Sequence, residues 1–253
     1  MNIVTEAWRV SLVIPAYNEE ASILQALSEA EDALPQIADR FEILVVDDGS
    51  RDRTCQVVTE AARRACPHVR LLQHPENRGY GAALRTGFEA ARFERIAFTD
   101  ADCQFDLRDL GALLGLTRHA AIAAGYRVER KDVWQRRFFS WGYNQLIRLM
   151  LGTRLRDIDC ALKVFRRDAL AQILPEARGF FVNTEMVTRA RRLGLEVAEI
   201  GVRHRPRFDG SSKVSLSDIP RTLGHLVPFW WHNMIWKKSQ QPTLPQESLK
   251  RAA

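Results

Sequence analysis

Four polar motifs stand where short apolar runs end. PAYNE at 15–19 follows Val10–Ile14, DDGS at 47–50 follows Phe41–Val46, NRGYG at 77–81 follows Val69–Gln73, and DADCQ at 100–104 follows Ile96–Thr99. Three of them hold carboxylates: Glu19, Asp47, Asp48, Asp100 and Asp102. If the runs are strands of one sheet, all five side chains meet on one rim. Like charges so gathered cost free energy unless a cation sits among them. Hard divalent ions such as Mg²⁺ take oxygen ligands and commonly share them with substrate phosphates. Taken singly, each motif has a plain structural reading. An Asp-Gly pair after a strand makes a turn, and Asp-x-Asp arises often in solvated loops. Gly79-x-Gly81 lacks the third glycine of a dinucleotide loop and follows the third run rather than the first. The ordered set is what points to chemistry.

The elements that must carry these motifs alternate in period. Ile23, Leu27, Ala30 and Leu34 recur at helical spacing after the first run. Val57, Val58, Ala61, Ala62 and Ala65 follow the second, with Ser50, Asp52 and Thr54 as candidate caps. Leu107, Leu110, Leu113 and Leu114 follow the fourth, and Ala120–Gly125 is a fifth run. Strands alternating with helices predict an α/β fold with a mostly parallel sheet flanked by helices. Beyond residue 126 the rhythm stops. Arg127–Trp134 reads as a loop, Gln135–Leu151 as a helix apolar around most of its circumference, Asn183–Leu193 as a helix and Glu196–His204 as a strand. Pro206–Lys213 reads as a Gly/Ser loop. The expected division is 1–213 as one catalytic domain, 214–236 as an amphipathic Trp-rich segment and 237–253 as a polar tail.

Composition narrows the class. An apolar share of 46% supplies a core and excludes collagen-like, disulfide-scaffold and mostly disordered chains. Four cysteines form no C-x-x-C pair and lack zinc spacing, which predicts reduced thiols. The first residues lack signal-peptide character, and no run reaches the ~18 apolar residues of a membrane span. The net charge of +6 is uneven: residues 1–110 carry 12 Lys+Arg against 19 Asp+Glu, and residues 111–253 carry 25 against 12. A basic binding protein for nucleic acid or membrane would account for the total. An acidic rim argues against nucleic acid, whose phosphates need Lys and Arg there.

The motifs of 15–19, 45–54, 77–87 and 100–104 together resemble inverting family-2 glycosyltransferases of the GT-A (nucleotide-diphospho-sugar transferase) fold. Within these, GYR at 125–127, Arg136, Ser140, DIDCALKVFRR at 157–167, NTEM at 183–186 and RFDGSSK at 207–213 are similar to the dolichyl-phosphate mannose synthase or polyprenyl-phosphate glycosyltransferase branch. The resemblance implies that Pro15, Tyr17, Glu19, Val46 and Asp48 form the nucleoside pocket. It implies that Asp100, Asp102 and Gln104 bind Mg²⁺ or Mn²⁺ beside the diphosphate, with Ala101 between them in the donor site. Arg127, Arg207 and Lys213 then contact phosphates, and Arg136 and Ser140 receive the acceptor phosphate. Asp102, Arg127, Arg136 and Ser140 are the residues expected to carry catalysis. Ala161 and Leu162 depart from the Gly and Phe frequent in the family, on the acceptor side; Asp159 is additional charge there.

The activity so implied moves a hexose from a nucleotide-sugar, of GDP-mannose or UDP-glucose type, to a polyprenyl phosphate. The expected setting is the cytoplasmic membrane face, with the protein peripherally held on an anionic surface. A membrane subunit or a homo-oligomer is compatible with this. The alternative acceptor is a hydroxyl of a saccharide or lipid, which would need a base; Glu185 and Asp159 are the candidates. Trp134, Trp141, Trp230, Trp231 and Trp236 suit either core packing or a membrane interface.

Overall fold

Each apolar run forms a strand because a sheet covered on both faces buries alternate side chains equally. The computed structural model describes residues 7–128, 142, 145–149, 151–152, 155–179, 181–206 and 224. The strands are β1 (Arg9–Ala16), β2 (Arg40–Asp47), β3 (Val69–Gln73), β4 (Arg95–Phe98), β5 (Ile122–Val128), β6 (Lys163–Arg166) and β7 (Val197–Arg203). The helices are α1 (Ile23–Ala33), α2 (Thr54–Arg64), α3 (Tyr80–Ala90), α4 (Leu110–Leu116), α5 (Arg167–Leu170) and α6 (Val182–Arg192). The sheet order is β3-β2-β1-β4-β6-β5-β7. Pairs β2–β3, β1–β2, β1–β4 and β5–β7 are parallel, whereas β6 runs antiparallel to both β4 and β5. Met1–Lys213 form one compact unit and Val214–Ala253 a second, of which Gly224 alone is described.

The helical stripes face this sheet. Ile23, Ala26, Leu27, Ala30 and Ala33 are buried on α1. Leu34 is buried too, but in a 3-10 turn that holds Pro35, because proline disfavours continued α-helix. On α2 the buried positions are Thr54, Val58 and Ala61. Ala65, expected in that stripe, is exposed beyond the helix end, and Cys66 fills the core instead. Leu107, Leu110, Leu113 and Leu114 are buried as their spacing predicts. In the stretch expected to be helical over Gln135–Leu151, residues 145–149 are helical, with Ile147 and Leu151 buried and Leu149 exposed. The remainder of that stretch apart from Gly142, the Glu129–Trp134 part of the expected loop, and everything from Arg207 on apart from Gly224 lie outside the described residues.

Two departures bear on the site. β5 runs on to Val128 and so includes Arg127, which the sequence reading assigns to a loop. β7 supplies the partner, pairing Arg127 with Val202 and Val128 with Arg203. The other is β6, a strand that no alternation announces. It pairs Phe98 of β4 with Lys163 and Ala124 of β5 with the same Lys163.

Close approach of α3 to the sheet depends on Gly87. A methyl group there would collide with Cγ1 of Val13 and come within 3.2 Å of Cγ2 of Val46. Both valines are fully buried and β-branched, so neither has a spare rotamer. Gly87→Ala is expected to lower stability by about 1–2 kcal/mol, the overpacking cost exceeding the helix-propensity gain of about 1 kcal/mol. The urea midpoint measures this; a variant as stable as the parent would contradict the packing argument.

Candidate active site

Strand order reverses between β1 and β4, where open α/β sheets bind ligands. Val13 pairs with Phe98, so Asp100 follows β4 at the level of Pro15. Ala16 pairs with Asp47, which brings Asp48 level with Tyr17. The register therefore brings PAYNE, DDGS and DADCQ to one edge. Pro15 pairs with Val46 in the β1–β2 ladder, and both are buried.

The first two motifs hold each other. Asn18 N–H donates to Ser50 Oγ (2.9 Å), Glu19 N–H to Thr54 Oγ1 (2.8 Å) and Glu20 N–H to Asp52 Oδ2 (3.2 Å). In return, Arg51 N–H donates to Asn18 Oδ1 (2.8 Å) and Arg53 N–H to Glu20 Oε2 (2.9 Å). Of the three expected caps, Asp52 accepts from Thr54 N–H (2.9 Å), while Ser50 and Thr54 bind the other loop. Asn18, in the left-handed region at φ 52°, is a structural residue that spacing alone does not single out.

The five carboxylates do not form one charge cluster. Asp47 is fully buried and its Oδ1 accepts from Ser50 N–H (3.2 Å). Asp48 is buried as well: Oδ1 accepts from Arg78 N–H (2.9 Å), Oδ2 accepts from Gly79 N–H (2.8 Å), and His74 Nδ1 lies 2.7 Å from Oδ1. These donors stabilise the Asp48 charge without any ion, whereas Asp47 Oδ2 is buried without a hydrogen-bond partner among the described residues. Asp48 thereby anchors the turn into α3. A cavity of about 270 Å³ opens alongside, lined by Gly49, Ser50, Arg51, His74, Glu76 and Asn77 among others.

DADCQ sits differently. Tyr80 Oη donates to Asp100 Oδ1 at 2.9 Å. Burial and the neighbouring Asp100, Asp102 and Asp159 carboxylates keep the phenol protonated well above its ordinary value, so it acts as donor. Ala101 is buried, and Asp102 is 5% exposed with Oδ1 accepting from Gln104 N–H (3.3 Å). The turn closes at Cys103, φ 57°. Burial, reinforced by Glu29 and Asp102, pushes that thiol up to about 12, which removes it as a nucleophile at neutral pH. Gln104 Nε2 donates to Arg205 O (3.4 Å) and Arg205 N–H to Gln104 O (2.8 Å). Phe105 bridges His204 in antiparallel fashion. The chain thus leaves this turn's side just before Arg207.

The oxygen donors of Asp100, Asp102 and Gln104 match a hard divalent ion. Among the described residues, no three His, Cys, Asp or Glu side chains form an ion cage of their own. An ion on this turn would then complete its shell with ligand oxygens, as Mg²⁺ favours.

Arg127 faces a different partner. Its Nε and Nη2 donate to Asp157 Oδ2 (2.6 Å) and Oδ1 (2.8 Å), a buried bidentate pair. Such a fork fixes the guanidinium plane. Beneath it lies Lys163, fully buried. Its Nζ donates to Ile158 O (3.0 Å), Asn183 Oδ1 (3.1 Å) and Cys160 O. Burial pushes the Lys163 ammonium down, against the opposing pull of Cys160, Asp159 and Asp157. A charged residue in so apolar a strand gave no sequence signal. Ala161 and Leu162 are buried, Leu162 completely, with Leu162 O accepting from Gly125 N–H.

Glu185 is not poised as a base. Only 2% exposed, it accepts from Glu176 N–H (3.1 Å) and Ala177 N–H (2.8 Å) and pairs with Arg189 (2.8 Å). Asp159, half-buried, joins Asp100 and Asp102 around the Tyr80 phenol. Arg136, Ser140, Arg207 and Lys213 lie outside the described residues.

The two described arginines of the 203–213 run are both paired. Arg203 and Arg205 pair with Asp106 (2.9 and 3.0 Å), Arg203 also with Asp109 (3.2 Å), and Arg205 with Glu29 (3.2 Å). These pairs fix the stem of the segment that holds Arg207.

The family model for glycosyl transferase family 2 matches residues 11–174. The glycosyltransferase AglD of Haloferax volcanii is 34% identical over 235 residues, covering 88% of this chain and 37% of its own. An undecaprenyl-phosphate 4-deoxy-4-formamido-L-arabinose transferase of Aeromonas hydrophila is 31% identical, covering 88% of this chain and 68% of its own. A dolichyl-phosphate beta-glucosyltransferase of Trichomonas vaginalis is 30% identical, covering 87% and 75%. The chain thus spans little more than a third of the first of these relatives. Among solved structures, glucosyl-3-phosphoglycerate synthase from Mycobacterium tuberculosis, with Mn²⁺, UDP-glucose and phosphoglyceric acid, superposes with a TM-score of 0.69. It is 19% identical, covers 88% of this chain and 79% of its own, and has the same GT-A fold.

Asp106 yields a pH prediction. Burial raises its carboxyl, but the Arg108 N–H and the Arg203 and Arg205 guanidiniums outweigh it and hold the group below its ordinary value. A depressed folded pKa contributes stability above the unfolded pKa of 3.8, and that contribution is lost as pH falls through the folded value. Asp106→Asn should therefore melt below the parent at pH 7, with the gap closing below about pH 4. A gap that persists unchanged at pH 3 would refute the ionic account.

Proposed function

The chain belongs to glycosyl transferase family 2, and from that premise we propose that it moves a hexose from a nucleotide-sugar to a polyprenyl phosphate. Its relatives from Aeromonas hydrophila and Trichomonas vaginalis bear names of that kind. The observation that carries the reading is the DADCQ turn beyond β4, at the point where strand order reverses and level with PAYNE.

In this reading Pro15, Tyr17, Glu19, Val46 and Asp48 frame the donor nucleoside. Asp48 does so by holding the 78–79 turn, its oxygens being already engaged there. Asp100, Asp102 and Gln104, with Ala101 between, hold the ion and the diphosphate. A bound Mg²⁺ or Mn²⁺ supplies Lewis-acid neutralisation of the leaving diphosphate. Arg127, oriented by Asp157, contacts phosphate together with Arg207 and Lys213. Arg136 and Ser140 orient the acceptor. One acceptor phosphate oxygen attacks the anomeric carbon from the face opposite the leaving group. The bond to the donor diphosphate breaks and the configuration inverts.

The engagement of Glu185 counts against one of the two candidate bases for a hydroxyl acceptor and supports a phosphate acceptor to that extent. A phosphate monoester has a second pKa near 6 and arrives largely as a dianion, so positioning replaces proton removal. The Trp-containing stretch 214–236, followed by Lys237 and Lys238, suits an anionic cytoplasmic membrane face, where such an acceptor resides.

Incubation with Mn²⁺, a sugar-nucleotide panel and a short polyprenyl phosphate should yield a lipid-phosphate sugar identifiable by mass. Asp102→Asn or EDTA should lower the rate at least about a hundredfold without a change in fold. Full activity in EDTA would remove the metal from the scheme. Arg136→Ala should raise the KM for polyprenyl phosphate about tenfold, as loss of a charged hydrogen bond implies. Equal effects on donor and acceptor KM would argue against that acceptor assignment.

A further inference from the structure

The turn into α3 is held on one side by the buried Asp48 carboxylate and on the other by a backbone carbonyl, and Tyr80 lies between the two contacts. On one side Asp48 accepts from Arg78 and Gly79 N–H (2.9 and 2.8 Å). On the other, Gly81 N–H donates to Arg178 O at 2.7 Å. The contact is backbone against backbone. A Cβ on Gly79, φ 99°, would come within 2.5 Å of Arg178 O, and one on Gly81 would land on Ala177 O. Glycine is therefore required at both positions.

The 174–178 segment is itself pinned. Glu185 accepts from Glu176 and Ala177 N–H, Arg189 Nη1 donates to Leu174 O (2.9 Å), and Arg85 Nη1 donates to Pro175 O (3.0 Å). Segment and turn together set where the phenol stands. Its hydroxyl donates to Asp100 Oδ1 and so fixes the rotation of that carboxylate.

We propose that Tyr80 is a positioning residue for Asp100, and that Glu185 acts on the ion site at a distance by holding Tyr80 in register. The inference rests on the reading of Asp100 as a metal ligand. A ligating carboxylate turned by an outer hydrogen bond presents its second oxygen in a fixed direction. Loss of such an outer partner commonly weakens metal binding 10–100-fold. Asp102 needs no comparable support, since Gln104 N–H already orients it.

Mn²⁺ binding followed by electron paramagnetic resonance, on the full chain with UDP or GDP present, tests this without reference to turnover. Tyr80→Phe keeps the ring and removes one hydroxyl. It should raise the Mn²⁺ Kd at least about tenfold while the melting temperature moves by no more than about 2 °C. Glu185→Gln should also weaken Mn²⁺, and the double variant should bind no more weakly than Tyr80→Phe alone, because both act through one hydroxyl. An Mn²⁺ Kd within twofold of the parent for Tyr80→Phe would overturn the proposal alone. Additive losses in the double variant would overturn the link to Glu185. A parent that binds no Mn²⁺ with either nucleotide would overturn the metal reading, and the proposal with it.

Discussion

Backbone N–H groups that leave a sheet at its carboxyl edge lose their ladder partners, and burial makes each unmet donor costly. In this protein acidic side chains meet that need. Asp47, Asp48, Asp52, Asp106 and Glu185 each accept from a main-chain N–H in a loop or turn. Part of the acid in the first 110 residues is therefore a scaffold for loops. The DADCQ carboxylates lie beside a turn anchored in this way, with Tyr80 joining the two.

The second organising feature is β6. By running antiparallel it faces Phe98 and Ala124 with one residue, Lys163, and so ties the strand leading to Asp100 to the strand bearing Arg127. Burying an ammonium is expensive unless it is fully hydrogen-bonded. Two carbonyls and the Asn183 amide meet it here, with the Phe98 ring 5.4 Å away. The turn 157–160 is thereby clamped, and Asp157 grips Arg127 from that turn. The desolvation of Lys163 is offset by these hydrogen bonds, which order the 157–160 end of the loop between β5 and β6.

The alternation of runs and stripes made the first five strands and the helices between them legible, since burial on both faces leaves a continuous apolar signature. The same rule explains what was not legible. β6 is four residues long and contains a lysine, so neither length nor pattern marks it. Arg127 sits in a strand because of β7, a partner distant in sequence. The site motifs were readable as a set, but the division of labour inside them was not. Asp47 and Asp48 look alike to Asp100 and Asp102 in sequence. Only the tertiary positions of Ser50, His74, Arg78 and Gly79 mark Asp47 and Asp48 as loop anchors. Glu185 offered a base by residue type and is withdrawn by its three partners.

Charge distribution leads to the same view of the acceptor. Arg203 and Arg205 are neutralised by Asp106, Asp109 and Glu29, so the basic character of the later chain is narrower than the count of +13 in residues 111–253. Arg127 is likewise paired with Asp157, which leaves orientation rather than bulk positive charge as its contribution. Oriented cations discriminate geometry and suit a phosphate that must approach one carbon from one direction. An unpaired basic surface would instead attract polyanions without regard to shape. A scaffold that engages its acids with main-chain donors and fixes its cations in forks fits a nucleophile that arrives already ionised and has to be aimed.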